Sequence, residues 1–238
     1  MLKARRIFSI ILYLTLLFSN CKIKAPNEER IKFAIFSYLA EGRNLQQIKI
    51  KPVHYFNSSD TIILSSFQIV VECDSDRVEF LPYPESVGLY TNNQALDWLK
   101  PLNEYKLTVI SKENDTLIGK TIVPEKFSLC NHPETLYLQD TTHAKVYWRK
   151  SKEAAGYMLN FAPSVEDTKQ VYLFAIDTII NLSFYKDYFE KEGSYLLKLF
   201  ALDKNIYQWE TNQITSVIGG DGVFGSYTQD STYFYFLK

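Results

Sequence analysis

The chain is poor in the residues that carry most enzyme chemistry. It has only three histidines and three cysteines, and His54, His132 and His143 show none of the spacings, such as H-x-H or H-E-x-x-H, that bind zinc. No G-x-S-x-G segment occurs, which excludes the nucleophile elbow of α/β-hydrolases. Glycine and proline number nine and eight, too few for a disordered stalk. The sequence therefore predicts no catalytic residue, no metal and no cofactor.

A basic stripe is also missing. Lysine and arginine total 26 against 27 acidic residues, and the formal net charge is -1. Proteins that bind nucleic acid neutralise its phosphates with clustered Lys and Arg side chains. We therefore expect no nucleic-acid partner.

The one long apolar run is too short to cross a membrane. Ile7–Phe18 follows Lys3, Arg5 and Arg6 and is followed closely by Cys21. A spanning helix needs about 20 apolar residues, whereas a positive start and a short apolar core are typical of a secretory signal peptide. The chain is therefore predicted to be exported.

The cysteine at the expected cleavage point makes this segment similar to a bacterial lipoprotein signal. In that class of protein the thiol is lipidated and becomes the new N-terminus, which implies a signal peptide over residues 1–20, lipid on Cys21 and a polar tether over residues 21–29. Phe18 and Asn20 depart from the usual residues before the cysteine. The alternatives are an ordinary secretory peptide with an incidental Cys21, or an uncleaved membrane anchor.

Aromatic residues are abundant, with 17 tyrosines and 16 phenylalanines. Such side chains favour the half-buried surface of a β-sheet. Short apolar runs recur between polar turns; Tyr105–Ile110 and Thr116–Val123, for example, are predicted to form a hairpin. Helical periodicity is weak and is best at Asn93–Leu99 and Tyr185–Glu192. Many short strands predict an all-β sandwich architecture.

The surroundings of two tyrosines repeat one pattern. Tyr105 and Tyr195 each follow a polar crossing and open an apolar strand, and their separation of about 90 residues approaches the length of one sandwich domain. A hydroxyl at this position can hydrogen-bond back across the corner of the sandwich. We predict two tandem β-sandwich domains, over residues 30–126 and 132–238, unless the likeness is due to chance.

Three segments of the second domain match a known module. Val146–Trp148 looks like an early strand with a buried tryptophan, Ala154–Leu159 like a third strand, and Gly193–Asp203 like a penultimate strand with a closing Ala-x-Asp. Together they resemble a fibronectin type III domain. That resemblance implies that Trp148 is buried and that a last strand follows Asp203.

Further segments extend the match over the whole chain. Beside the lipoprotein signal, these are Tyr38–Gly42, Tyr105–Leu107, Gly119–Pro124 and Ile218–Gly225. With them the chain resembles an outer-membrane lipoprotein family of the Bacteroidetes, which implies an Ig-like module followed by a fibronectin type III-like one. Genes of this family often neighbour TonB-dependent transporters, so the resemblance implies a location and a class of partner.

The glycine-rich segment Gly220–Gly225 matches G-x-G-x-x-G by its letters. A dinucleotide site needs a helix directly after such a loop, whereas the few residues that follow include Tyr233–Leu237, which has the composition of a strand. We expect the glycines to allow positive φ angles instead.

Two acid pairs contain the residue type that glycosidases use. Asp74 and Asp76 form one pair, and Glu190 and Glu192 form the other. Both are expected at solvent-exposed turns.

Cys73 and Cys130 leave two alternatives open. An exported protein meets an oxidising compartment, where they could form a disulfide. They could equally remain two separate buried thiols.

The strand Tyr233–Leu237 is apolar on both faces, so it must be buried on both or must meet a partner. We predict a lipid-anchored binding or accessory protein of the outer membrane, which contacts the membrane through its lipid and partners an outer-membrane transporter or binds glycan. The alternatives are a carbohydrate-active hydrolase and a structural, adhesin-like spacer.

Overall fold

Strands make up most of the part of the chain that the structure, a computed structural model, describes. It describes residues 33–53, 66–92, 98–137, 144–163, 171–189 and 191–238. The strands of the first half are β1 (Phe33–Ala40), β2 (Gln46–Pro52), β3 (Gln68–Cys73), β4 (Asp76–Pro82), β5 (Leu89–Asn92), β6 (Glu104–Ile110) and β7 (Thr116–Ile122). The predicted signal peptide, the tether and Cys21 lie outside the described residues.

The second half adds further strands and two short helices. Its strands are β8 (Leu129–Asn131), β9 (Thr135–Tyr137), β10 (Lys145–Trp148), β11 (Gly156–Pro163), β12 (Val171–Ala175), β13 (Ile179–Asn181), β14 (Gly193–Leu202), β15 (Val217–Ile218) and β16 (Asp221–Leu237). A 3-10 helix covers Leu182–Tyr188, and the α-helix α1 covers Lys204–Asn212.

The strands of the first half, together with β15 from the second half, form a β-sandwich. One sheet has the order β1-β2-β5, the other has the order β4-β3-β6-β7-β15, and β4 takes part in both. Apolar residues alternate along these strands, so their inward side chains meet between the sheets. The fully buried residues of this first core include Ile35, Ile48, Ile69 and Leu107.

The second half forms a second β-sandwich. The order β12-β11-β14-β16 makes one sheet, with β9 added beside β16, and β13-β10-β8 makes the other. The core between them holds Trp148, Leu159, Leu197 and Phe236. The predicted all-β, two-sandwich fold class is confirmed, and so is the buried position of Trp148.

Both predicted tyrosine corners are present. The Tyr105 hydroxyl donates to the carbonyl oxygen of Trp98 at 2.8 Å and accepts from the amide of Lys100 at 2.7 Å. The Tyr195 hydroxyl donates to the carbonyl oxygen of Lys191 at 2.8 Å and accepts from the amide of the same residue at 3.4 Å. The repeated sequence pattern therefore marks the same structural position in each sandwich.

The last strand belongs to both sandwiches. The first part of the 17-residue β16 pairs in parallel with β1, and the second part pairs antiparallel with β14. Phe224, early in β16, lies in the first core together with Val217 of β15, while Phe234 and Phe236 lie in the second. The segment predicted as the second domain, residues 132–238, thus also supplies the first core.

Helix α1 packs where the two sandwiches meet. Its Ile206 lies in a small third cluster with Ala40, Leu202 and Val223. The carboxylate of Asp203 caps the helix by accepting from the amide of Ile206 at 2.8 Å, as N-cap residues commonly do. The structure has no helix, among the residues it describes, with the length and apolarity to cross a membrane.

The Asp203 carboxylate is also bonded to the first sandwich. It accepts from the hydroxyl of Thr121, at the end of β7, at 2.5 Å, and that hydroxyl lies 2.6 Å from the hydroxyl of Ser226. Burial raises the pKa of Asp203 to about 6, and its hydrogen bonds oppose that rise. A buried acid therefore joins β7, α1 and β16.

Candidate functional site

The two cysteines of the chain that the structure describes are not bridged. Cys73 is buried at the end of β3, where its sulfur lies 3.6 Å from the side-chain nitrogen of Asn103. Cys130 is exposed in β8. The structure therefore shows two separate thiols and no disulfide, and of the two only Cys73 is buried.

The acidic and histidine candidates are scattered. Asp74 and Asp76 are exposed at the turn between β3 and β4. Glu192 is exposed, and its carboxylate accepts from the backbone amide of Lys238. His132 lies 3.1 Å from the hydroxyl of Thr232. Nowhere in the described ranges do three or more His, Cys, Asp or Glu residues gather in a way that could hold a metal ion; His54, His143 and Glu190 lie outside those ranges.

The glycine-rich segment leads into a strand, as predicted. The positive φ expected for the glycines of Gly220–Gly225 is confirmed at Gly222, with 94°, and is wrong for Gly220 and Gly225. Gly219, just before the segment, has a φ of 79°, and both angles favour glycine. A Cβ on Gly222 would lie 2.1 Å from the carbonyl oxygen of Ile35. The glycine at this position therefore allows β16 to approach β1.

The second sandwich carries a broad aromatic surface on the outside of its larger sheet. Inward side chains of β16, such as Phe234, fill the core, so Tyr233 and Tyr235 point outward by the alternation of a strand. Strand pairing places Tyr235 beside Thr135 of β9 and Tyr233 beside Leu196 of β14. We call this surface the aromatic face and define it by Tyr137, Tyr172, Phe174, Tyr233 and Tyr235.

The remaining rings of the aromatic face lie on β12, at the other edge of the same sheet surface. Tyr172 pairs with Asn160 of β11, which pairs with Lys198 of β14, so these side chains share one row across the sheet. Phe174 lies two residues along from Tyr172, about 7 Å away. Lys198 is the charged residue at these register positions, and it lies between the two groups of rings.

The rings of the aromatic face are between 40% and 61% exposed. A tyrosine in this state presents an apolar ring and a hydroxyl to a ligand at once. Apolar patches of this kind on a protein surface mark sites of interaction. The arrangement therefore presents apolar rings and hydrogen-bonding hydroxyls side by side on one surface.

Part of this surface was predictable from the sequence. Tyr233–Leu237 was predicted to be buried on both faces or to meet a partner. The structure buries one face and exposes the other, so burial on both faces is wrong and a partner stays a prediction. Tyr137, Tyr172 and Phe174 were not predicted as members. The alternation of Tyr172 and Phe174 around Leu173 is the signal that could have identified them.

Comparison with known proteins gives fold-level similarity alone. No protein-family model matches the chain, and no curated protein matches it. The crystal structure of the FN1–FN3 domains of chicken CNTN1 is similar over 85% of this chain, with 12% identity and a TM-score of 0.26; the chain spans 64% of that structure's length. A cytokine receptor complex is similar over 84% of this chain and 94% of its own, with 8% identity and a TM-score of 0.29. At these TM-scores the fold assignment depends on the strand pairing described above.

Proposed function

We propose that this protein is a non-enzymatic binding module, anchored through lipid on Cys21 in a bacterial outer membrane, which binds glycan through the aromatic face. The observation that carries the proposal is the exposure of Tyr233 and Tyr235 beside a buried core on the other side of the same strand. The lipoprotein-like signal supports the location, and the resemblance to Bacteroidetes lipoproteins supports the accessory role.

The chemistry of the face suits a pyranose ring. The C–H face of a sugar is apolar and packs against an aromatic ring, while its hydroxyls need hydrogen-bond partners. The phenol groups and the ammonium of Lys198 can supply those partners. Since Tyr233 and Tyr235 stand about 7 Å apart on one strand, they can contact neighbouring units of a chain.

The binding proposal is tested with purified protein from residue 22 onward and a panel of soluble polysaccharides in affinity gel electrophoresis. We expect at least one polysaccharide to retard the wild type, and the double variant Tyr233→Ser/Tyr235→Ser to bind about tenfold more weakly because both stacking surfaces are lost. Tyr83→Ser is the matched control, because Tyr83 is an exposed tyrosine of the first sandwich.

An outer-membrane transporter is the second candidate partner, since exposed tyrosines are also enriched in protein interfaces. If no polysaccharide binds, but a transporter co-purifies from solubilised envelopes with the wild type and not with the double variant, the aromatic face is a protein-docking surface and the glycan proposal is wrong. Equal behaviour of the wild type and the double variant in both assays would reject the aromatic face as a site.

The anchor is tested separately by fractionating cells that express the wild type or Cys21→Ala. We expect the wild type in the membrane fraction, labelled by radioactive palmitate, and the variant unlabelled and free of that fraction. An unlabelled wild type would show that the segment is an ordinary signal peptide or an uncleaved anchor.

A further inference from the structure

A second surface, on the first sandwich, has a different chemistry. An open groove of about 780 Å³ runs along the outer side of β1 and the turn between β1 and β2. Its walls include the rings of Phe36 and Tyr38 from β1 and of Tyr227 from β16. None of these rings belongs to the aromatic face.

The charged residues that line this groove are cations. Arg43, in the turn, places its guanidinium carbon 5.8 Å from the centre of the Tyr227 ring. The Lys49 ammonium donates to the carbonyl oxygen of Val87 at 2.7 Å and to the hydroxyl of Ser86 at 3.2 Å. No Asp or Glu lines the groove as the structure describes it, so Arg43 and Lys49 create a positive site in a slightly acidic protein.

Two carboxylates lie beside the elements that form the groove. Glu41, next to the turn, forms an ion pair with Lys126 at 2.7 Å. Glu210 of α1 accepts from the hydroxyl of Tyr38, and burial together with this carboxylate raises the pKa of Tyr38. The phenol therefore stays neutral and the Glu210 carboxylate keeps its negative charge beside it. This acid opposes the two cations of the groove in part, whereas Glu41 is balanced by Lys126.

The turn that presents Arg43 is held rigidly. The buried side-chain amide of Gln46 accepts from the amide of Ala40 at 2.9 Å and donates to the carbonyl oxygens of Ala40 and Arg43 at 2.8 and 3.0 Å. Gly42 takes a φ of 77° in the turn, which favours glycine. The backbone is thus fixed before a ligand arrives, which lowers the entropic cost of binding.

From these observations we propose that the groove binds an anionic sugar, a pyranose that bears a carboxylate or a phosphate. Arg43 forms charge-assisted hydrogen bonds with the anionic group, for which a guanidinium is well suited. The ring of the sugar packs on Tyr38, because the Phe36 ring already contacts the Lys51 ammonium, 4.9 Å from its centre, and the Trp209 ring. The side-chain amide of Gln47 hydrogen-bonds the hydroxyls of the sugar. This site is independent of the aromatic face, and either can fail without the other.

The test is isothermal titration calorimetry with glucuronic acid, glucose 6-phosphate and neutral glucose at about 20 mM NaCl. We expect at least one of the two anions to bind and glucose not to bind. Binding of glucuronic acid alone identifies a carboxylate site, and binding of glucose 6-phosphate alone identifies a phosphate site. Raising NaCl to about 500 mM should weaken the interaction, because salt screens exposed charges.

Arg43→Gln should weaken anion binding about tenfold or more. The side chain of Arg43 takes no part in the Gln46 hydrogen bonds, so the variant should keep the turn. It loses the contact with the Tyr227 ring, which should lower the thermal midpoint only slightly. Arg149→Gln, at an exposed arginine of the second sandwich, is the matched control and should bind as the wild type does. The proposal is overturned if neither anion binds, if glucose binds as well as the anions, or if Arg43→Gln binds like Arg149→Gln.

Discussion

The two sandwiches share a plan but differ in how their cores are completed. Both have a tyrosine corner at the same position. Among the residues that the structure describes, the second core takes its buried members from the second half of the chain, whereas the first core also includes Val217 and Phe224, which follow β14 of the second sandwich. The first sandwich should therefore depend on the second half of the chain, and the second should not depend on the first.

The outer surfaces differ as well. The second sandwich exposes tyrosines around Lys198, and the first exposes a groove with Arg43 and Lys49. One surface offers mainly stacking, and the other mainly charge. Two similar modules thus present different surface chemistry through residues on their outward faces, which the fold leaves free to vary.

The largest expected effect comes from removing a β16 side chain from the first core. Phe224→Ala should lower the free energy of unfolding by about 3–5 kcal/mol, as expected for a buried phenylalanine. Hydrogen exchange should show the loss in β6 and β7 of the first sandwich, although residue 224 lies in the last strand. Phe236→Ala, which empties space in the second core, is the matched control and should loosen β11 and β14. If Phe224→Ala loosened only the second sandwich, the dependence inferred here would be wrong.

The second prediction concerns the close contact between β16 and β1. Gly222→Ala should cost about 3 kcal/mol, because its Cβ would lie 2.1 Å from the carbonyl oxygen of Ile35 and its φ of 94° is unfavourable for alanine. Gly42→Ala has a similar φ of 77° but meets nothing within 4 Å, so it should cost about 1 kcal/mol. Urea unfolding of both variants measures the difference. Equal losses would show that close strand contact contributes nothing.

The strand pattern of this fold could be predicted because it is local. The hairpin predicted for Tyr105–Ile110 and Thr116–Val123 is observed as β6 and β7, since alternation and a polar turn are properties of neighbouring residues. The double role of β16 could not be predicted. Its parallel pairing with β1 joins residues at opposite ends of the described chain, and no periodicity encodes that partner.

Helices show the same limit. The predicted helix Tyr185–Glu192 overlaps the 3-10 helix Leu182–Tyr188, while most of Asn93–Leu99 lies outside the described residues. Helix α1 was missed because Ile206 is its one buried residue, so an apolar stripe is absent. Asp203, an N-cap before a run without Gly or Pro, was the available signal.

The two candidate surfaces also differ in how far the sequence alone could predict them. The sequence singled out Tyr233–Leu237 because it is apolar on both faces, which is a property of neighbouring residues, but it did not show which face would be exposed. The cationic groove combines Tyr227 with β1 and the turn at Arg43, which are far apart in sequence, so it becomes visible only in the folded chain.

The contribution of Asp203, at the contact between the sandwiches, to the free energy of unfolding should depend on pH. Because the pKa of Asp203 rises from 3.8 to about 6 on folding, the native state binds more protons than the unfolded state between these values. Its contribution to stability is fully present below about pH 3.8 and is lost as pH rises through 6. The full change should reach about 3 kcal/mol.

Asp203→Asn removes this titration and keeps a residue that caps helices well. The difference in the free energy of unfolding between wild type and variant, measured in urea at several pH values, should therefore shift by most of that amount between pH 4 and 7. A constant difference would show that the carboxylate is ionised throughout. Asp230→Asn, at a less buried acid of β16, is the control.

The smallest expected effect is the difference in stability between variants of the two tyrosine corners. Burial raises the pKa of Tyr105 to about 12, so its hydroxyl remains a donor, and it makes two short hydrogen bonds. The Tyr195 hydroxyl makes one short bond and one of 3.4 Å. Tyr105→Phe should therefore cost about 2 kcal/mol and Tyr195→Phe about 1 kcal/mol, as measured by urea unfolding. The reverse order would mean that hydrogen-bond length does not decide the strength of these corners. It would instead indicate that water reaches the backbone groups of Lys191, which lose the tyrosine hydroxyl in Tyr195→Phe, less easily than those near Tyr105.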